Sequence, residues 1–339
     1  MTIISVGAVF GAAAVSAACD DGDPATGFGC DVTAVATRGL PSIVMIQVES
    51  ASSSGSGSGG VIRSDGYVLT NNHVVSAAAT SGSITVLFSD GATEPARLVG
   101  RDVETDLAVV KVDLEDSLQP IPFGTSSTLE IGQPVVALGA PLGLASTVTS
   151  GIVSALDRSV NVPADGGQTA LIVAAIQTDA AINPGNSGGA LVDCSGRLVG
   201  VPTAGAVVPN PEGGASAGNV GIGFAIPSDF ARVISDELIA TGRVTHGSFG
   251  IRVAAISESA ARQANSRAGL FVVGTEPGGP SAIAGIREGD VITEIGDEPA
   301  VTAQQLQALT LTERPGQTVQ LTIARDGSEQ TVSVVLGGR

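Results

Sequence analysis

From Ile43 to Ile226 the apolar side chains fall on alternate positions or in short unbroken runs: SIVMIQV, YVLTNNHVV, SITVLF, ARLVG, LAVVKV, PVVALG, TVTSGIVSAL, LIVAAIQ, ALVDCSGRLVGV and VGIGFAIP. Alternation buries one face of a strand and an unbroken run buries both, while the Gly, Pro, Asn, Asp and Ser clusters between the runs supply turns. Strand-like runs do not alternate with helix-length ones. The pattern therefore predicts a mostly β region, sandwich or barrel, rather than a parallel sheet with crossover helices. Two stretches poor in large apolar residues, Ser52–Gly60 (SSSGSGSGG) and Asn210–Asn219 (NPEGGASAGN), read as flexible loops.

The period changes at SDFARVISDELIATG. There Ser228 stands as an N-cap, Phe230, Val233, Ile234 and Leu238 share one helical face, and Gly242 is the stop. Farther on, LFVVGTEP, DVITEIG, TVQLTIARDG and QTVSVVL read as strands, and PSAIAGI and TAQQLQALTL as helices. These signals divide the 339 residues into an amino-terminal segment (1–30), a mostly β domain (31–228), a linker helix (229–246) and a smaller α+β domain (247–339). Length agrees, since single cores stop growing near roughly 250–300 residues.

Composition removes some classes of partner. Sixteen Lys and Arg face 33 Asp and Glu, for a net charge of −17, and Lys111 is the sole lysine. Attraction to phosphate needs clustered cations, so nucleic acid is not an expected partner and an anionic membrane surface is disfavoured. Aromatics are 3% with no Trp, so the cores must be built from aliphatic side chains on closely approaching backbones.

Residues 1–18 carry no charged side chain, which fits a secretory segment or a membrane anchor and, with it, an extracytoplasmic location; an apolar segment docked on the protein is the alternative. Ser16-Ala17-Ala18-Cys19 resembles a bacterial lipobox, with Cys19 as the lipidated residue, although Ser16 departs from the usual Leu. The acidic DDGDPATG after it reads as a solvated tether. Cys30 and Cys194 remain, an even number for an exported chain, and they form either one bridge closing a long loop or two buried thiols acting as small hydrophobes. With no short Cys spacing and only two His, no metal is expected, and no cofactor-binding motif is evident.

Three residues in the order His, Asp, Ser carry the chemistry: His73 in LTNNHVV, Asp106 in ETDLAVVKV and Ser187 in NPGNSGGALV. A serine hydroxyl becomes a nucleophile when an imidazole takes its proton, and a buried carboxylate must hold that imidazole in the right tautomer. Gly185, Gly188 and Gly189 around Ser187 allow a tight turn whose amides converge on one oxygen. GNSGG also satisfies the G-x-S-x-G elbow of α/β-hydrolases, but those enzymes place the acid and the His after the Ser, and only His246 follows here.

GYVLTNNHVV at 66–75, TDLAVVKV at 105–112, QTDAAINPGNSGGALVD at 177–193 and GIGFAIPSD at 221–229 together resemble the HtrA family of trypsin-like serine proteases, over roughly residues 35–339. The resemblance implies two six-stranded β-barrels with the site between them. It makes His73 the general base, Asp106 its orienter and Ser187 the nucleophile, with the Gly185-Asn186-Ser187 turn, through the Gly185 and Ser187 amides, as oxyanion hole. It also implies a specificity pocket from Ile182, Gly205 and Ala206. Ala181, six residues before the nucleophile, is no acid, so cleavage after apolar rather than basic residues is expected. SFGIRV at 248–253 and PSAIAGIREGDVITEIGDEP at 280–299 resemble a bacterial PDZ domain, with Phe249, Gly250 and Ile251 as its carboxylate loop.

The function implied is an ATP-independent endopeptidase that cleaves unfolded extracytoplasmic proteins, binds protein C-termini through its PDZ domain and, by family, assembles as a homotrimer. The chain has no G-x-x-x-x-G-K-[ST] loop to drive unfolding with ATP. The competing reading is a peptide-binding holdase on a protease fold, for which an intact triad has no use.

Overall fold

The computed structural model describes residues 29–51, 53–140, 147–205, 220–264 and 266–339. Cys19 and the apolar segment before it, Ala206 and the Asn210–Asn219 stretch lie outside the described residues. By its contacts the chain divides into Met1–Cys30 and Asp31–Arg339, and the strands and helices described below all belong to the second unit.

The alternating runs become twelve strands in two closed barrels. The first contains β1 (Ile43–Glu49), β2 (Ser54–Val61), β3 (Tyr67–Thr70), β4 (Ser83–Leu87), β5 (Thr93–Asp102) and β6 (Leu107–Val112), in the order β1-β2-β3-β6-β5-β4. The second contains β7 (Pro134–Gly139), β8 (Thr147–Pro163), β9 (Thr169–Thr178), β10 (Ala190–Val192), β11 (Leu198–Gly205) and β12 (Gly223–Pro227), in the order β10-β11-β12-β9-β8-β7. Closure leaves no unpaired edge in either barrel. Val44, Ile46, Val68, Val86 and Val110 fill the first core, and Val135, Val153, Ile176, Leu191 and Val199 the second. Both are aliphatic, as the scarcity of aromatics requires, and each such side chain contributes roughly 1.5–3 kcal/mol on burial.

The Gly/Ser stretch expected as a loop is instead mostly β2, with Gly57 to Val61 buried. Composition misleads there because the glycines serve packing. A Cβ at Gly59 would stand 2.5 Å from a Val68 methyl, and one at Gly57 would stand 2.6 Å from Val74. YVLTNNHVV is likewise not one strand, since β3 stops at Thr70 and a short helix α2 (Asn72–Val75) follows. An unexpected helix α1 (Val32–Gly39) precedes β1, capped by the Asp31 carboxylate accepting from the Ala34 amide at 2.9 Å.

The helix after the second barrel is α3 (Ser228–Thr241), ending at Gly242 in the left-handed region with φ 77°. Ser228 is not its side-chain cap. Its buried hydroxyl donates to the Gly124 carbonyl, and Pro227 occupies the cap position. The face that packs is Ala231, Ile234 and Leu238, whereas Val233 is 50% exposed, against expectation.

The carboxyl-terminal module holds β13 (Gly247–Ser248), β14 (Ile251–Ile256), helix α4 (Glu258–Ala264), β15 (Gly269–Thr275), helix α5 (Pro280–Ile283), β16 (Val291–Ile295), β17 (Glu298–Pro299), helix α6 (Ala303–Thr312), β18 (Thr318–Arg325), β19 (Ser328–Val335) and β20 (Gly337–Gly338). Its main sheet runs β14-β15-β16-β18-β19, which leaves β14 on an edge. Leu311 of α6 packs with Leu171 and Val173 of β9, and Arg314 pairs with Glu237 of α3 at 3.0 Å. His246, just before β13, bonds Asp102 at the end of β5 at 2.9 Å. The module is thus seated on both barrels. Among the described residues no helix is long and apolar enough to cross a membrane, and no cluster of metal-ligating side chains occurs.

Candidate active site and peptide groove

The turn between β5 and β6 sets the first half of the site. Asp106 there is 2% exposed and adopts φ 57°, a conformation disfavoured for a side chain with a Cβ. What holds it is a set of bonds from α2 and its approach. The Asn71 side-chain amide and the Asn72 backbone N–H both donate to the Asp106 carbonyl, at 2.9 and 3.1 Å. The His73 N–H donates to Asp106 Oδ1 at 3.0 Å, and His73 Nδ1 lies 3.0 and 2.9 Å from the two carboxylate oxygens. Thr203 of β11 donates its hydroxyl to Oδ2 at 2.5 Å. A carboxylate accepts only, so Nδ1 is the donor, and the neutral tautomer this fixes has its lone pair on Nε2. The His73 side chain is 38% exposed, so this nitrogen can exchange a proton with a bound group.

The second half is the loop before β10. Asn186 N–H donates to the Asn183 carbonyl at 3.0 Å, closing a four-residue turn with Pro184 second and Gly185 third. Gly185 has φ 100°, so this is the Pro-Gly arrangement of a type II turn. Gly188, at φ 81°, leaves no room for a side chain, because a Cβ would lie 2.3 Å from both the Ser58 carbonyl oxygen and the Thr70 hydroxyl. Among the described residues neither the Gly185 nor the Ser187 amide finds an acceptor, while the Asn186 amide is spent within the turn. The Ser187 hydroxyl donates to the Thr203 carbonyl at 3.3 Å and is not bonded to His73.

His73, Asp106 and Ser187 thus converge on Thr203, whose hydroxyl serves the acid and whose carbonyl holds the nucleophile. No local motif marks Thr203; sixteen residues after Ser187, it reaches the site only through barrel closure. Of the expected pocket residues, Ile182 is 4% exposed within the second barrel's core and fills the space where Gly223 would carry a Cβ. Gly205 closes β11. The Ala181 carbonyl accepts from the side chains of Asn186 and Thr149, at 3.1 and 3.0 Å.

In the carboxyl-terminal module a groove of about 470 Å³ runs between the β14 edge and α6, lined by Phe249, Ile251, Val253, Leu306, Gln307 and Arg339. The Phe249 ring is 3% exposed and belongs to the core, so at the carboxylate loop it can offer backbone only. Gly250 takes φ 60° there. The contributions of α6 and Arg339 were not evident in the sequence. Cys30 and Cys194 are each disulfide-bonded.

Comparison with known proteins identifies both domains. Residues 57–201 match the trypsin-like peptidase domain and residues 247–336 the PDZ domain. The chain is 42% identical over 313 residues to serine protease PepD of Mycobacterium tuberculosis, covering 90% of this chain and 66% of that one. It is 39% identical over 283 residues to a probable periplasmic DegP-like serine endoprotease of Rhizobium meliloti, covering 83% and 53%. The chain therefore spans between half and two thirds of the length of these curated relatives. The solved structure of the HtrA-type protease AlgW with a tripeptide superposes at a TM-score of 0.73 with 36% identity, covering 91% of this chain and 97% of that one. With its two closed barrels and carboxyl-terminal PDZ domain, the chain belongs to the HtrA/DegP family of trypsin-like serine proteases.

Proposed function

We propose that the chain is an ATP-independent serine endopeptidase acting on unfolded polypeptides outside the cytoplasm, with a PDZ groove that binds chain ends. The observation that carries the reading is Asp106, clasped by Thr203 and by both the backbone and ring of His73, opposite a turn with two unspent amides. In the reaction the Ser187 hydroxyl leaves the Thr203 carbonyl and turns to His73 Nε2. Nε2 takes its proton as the oxygen adds to the scissile carbonyl. The amides of Gly185 and Ser187 stabilise the oxyanion. His73 passes the proton to the departing amine, leaving an acyl ester on Ser187, and a water activated the same way releases the acid. Asp106 stays ionised throughout and stabilises the imidazolium.

Cleavage after apolar residues, with Ile182, Gly205 and Ala206 as the specificity residues the family resemblance implies, belongs to the same proposal, and a peptide-library cleavage profile tests it. Carboxyl-terminal residues would enter the groove as a strand on β14, with the Phe249-Gly250-Ile251 backbone at the carboxylate. An extracytoplasmic location agrees with the relatives named as periplasmic. Attachment through the amino terminus, lipidation at Cys19 and a homotrimeric state belong to the same proposal, and intact mass and light scattering test them. The decisive experiment is labelling by a fluorophosphonate together with casein cleavage. Wild type labels on Ser187 and cleaves, and Ser187→Ala does neither. A wild type that holds unfolded chains but neither labels nor cleaves, with C-terminal peptide present, leaves the holdase reading in its place.

A further inference from the structure

Buried in β2, between Gly57 and Gly59, Ser58 is fully shielded from solvent and makes four hydrogen bonds. Its hydroxyl donates to the Gly185 carbonyl at 2.5 Å and accepts from the Ala140 N–H at 2.8 Å. Its own N–H donates to the Ser187 carbonyl at 2.9 Å, and its carbonyl accepts from the Thr70 hydroxyl at 2.7 Å. Two of the four grip the carbonyls of Gly185 and Ser187, the residues whose amides have no acceptor among the described residues. The strand carrying Ser58 belongs to the first barrel and the turn to the second.

We infer that Ser58 is a positioning residue for the hydrolysis proposed above, holding the Gly185 and Ser187 amides in register as a two-donor oxyanion site. The inference rests on that proposal. A Pro-Gly turn is held at its ends, and its central peptide, here Pro184–Gly185, is the part that rotates most freely. That peptide carries the Gly185 N–H. The Gly185 carbonyl belongs to the following peptide, Gly185–Asn186, so fixing it from the far side pins the Gly185 end about which the N–H-bearing peptide turns. With the Ser58 N–H on the Ser187 carbonyl, it sets the course of the chain between the two N–H groups. The serine hydroxyl has one proton to give, and it is given to Gly185, so Ser58 is no second nucleophile.

The surrounding glycines fit the same account. The turn lies so close to β2 that a Cβ at Gly188 would stand 2.3 Å from the Ser58 carbonyl oxygen, and one at Gly189 would stand 3.3 Å from the Ser58 Cβ. With glycine at 57, 59 and 60, Ser58 is the one residue of β2 between positions 57 and 60 that brings a side chain to this crossing. The Gly/Ser stretch is therefore a template for the nucleophile turn rather than a linker.

The test compares wild type, Ser58→Ala and Ser58→Cys, the last keeping a weak donor. A short peptide substrate and the matching peptide aldehyde, whose adduct with Ser187 places an oxyanion on the two amides, are used. Loss of a whole oxyanion donor costs ~10²–10³ in turnover, and a displaced donor costs less. Ser58→Ala is expected to lower kcat roughly 10–100-fold with KM within about threefold, and to weaken the aldehyde in proportion. Ser58→Cys falls between. Binding of the unreactive peptide amide, measured on Ser187→Ala with and without Ser58→Ala, stays within about twofold. If Ser58→Ala does not fold, the graded loss in Ser58→Cys carries the test. An active wild type with either folded variant unchanged in kcat and aldehyde affinity overturns the inference, as does equal weakening of aldehyde and peptide amide. A wild type inert to fluorophosphonate and substrate overturns the protease proposal, and this inference with it.

Discussion

The chain has two histidines, and each is paired with a buried aspartate at 2.9 Å. The aspartates, Asp102 and Asp106, stand four residues apart at the two ends of one turn. Residue types and distances make the pairs near twins, yet their surroundings differ. The His73 ring is 38% exposed, and its aspartate and Ser187 both bond Thr203. The His246 ring is 3% exposed, and its buried Nδ1 finds no hydrogen-bond partner among the described residues. Asp106 is held by Thr203 from the second barrel, whereas Asp102 accepts from its neighbour Thr105 and from His246. A His–Asp pair is thus no active site by itself. Chemistry needs an open second ring nitrogen and a nucleophile within reach, and where the second nitrogen is sealed, the same pair becomes a joint between a barrel and the PDZ module.

Breaking the first pair should have the largest effect. Asp106→Asn is expected to lower kcat for a short peptide by ~10⁴-fold, because the amide cannot hold the tautomer with the proton on Nδ1. His246→Ala should cost no more than about tenfold, since that ring lies outside the proposed chemistry. Parallel kcat measurements on the two variants would show the comparison to be mistaken if the losses came out equal.

In the sequence these pairs differ only through order and context. His73 and Asp106 are legible because LTNNHVV and TDLAVVKV precede a Gly-flanked serine, and the strands because period-two burial leaves a plain trace. His246 carries no such context, and its role depends on a contact spanning 144 positions. Ser58 and Thr203 are hidden for the same reason, as both act across the barrel interface. The Gly/Ser stretch misleads because glycine signals both a loop and a strand under close packing, and only the neighbours Val68, Ile46 and Val74 tell them apart. Helix α1 has one readable sign, Asp31 three residues before Ala34, but its eight residues are too few for a helical period to stand out.

A third buried carboxylate extends the comparison to stability. Asp290 is 1% exposed and receives two charge-assisted bonds from Arg325, at 2.6 Å each. Arg325→Met leaves that carboxylate buried with the Arg287 amide as its hydrogen-bond donor, and the PDZ module should lose about 3–5 kcal/mol. In the full chain this should appear as a separate early unfolding transition, and a single unshifted transition would refute it. His246→Ala should cost less, about 1–3 kcal/mol, because Asp102 keeps the Thr105 hydroxyl as a partner. Its readout is the urea midpoint at unchanged m.

The smallest effect expected is a pH dependence that sets this third pair apart from the other two. Burial alone would raise the Asp290 carboxyl, but the Arg325 hydrogen bonds, the Arg287 amide and the guanidinium charges outweigh it and hold the group below the usual carboxylate range. A carboxylate lowered on folding stabilises the folded state above its unfolded value, ~3.9, and that contribution is lost as pH falls through the folded value. Arg325 stays charged throughout, so the pair should be indifferent to pH between about 5 and 8, where an imidazole changes charge. Unfolding of the full chain followed by circular dichroism from about pH 8 to about 2.5 will contain contributions from many carboxylates. The informative quantity is the difference between wild type and the double variant Asp290→Asn, Arg325→Met, in which neither charge remains. That difference should be constant above about pH 5 and should shrink only below about pH 4. A difference that changes between about pH 8 and 6 would mean that a histidine, not this pair, couples the PDZ module to pH.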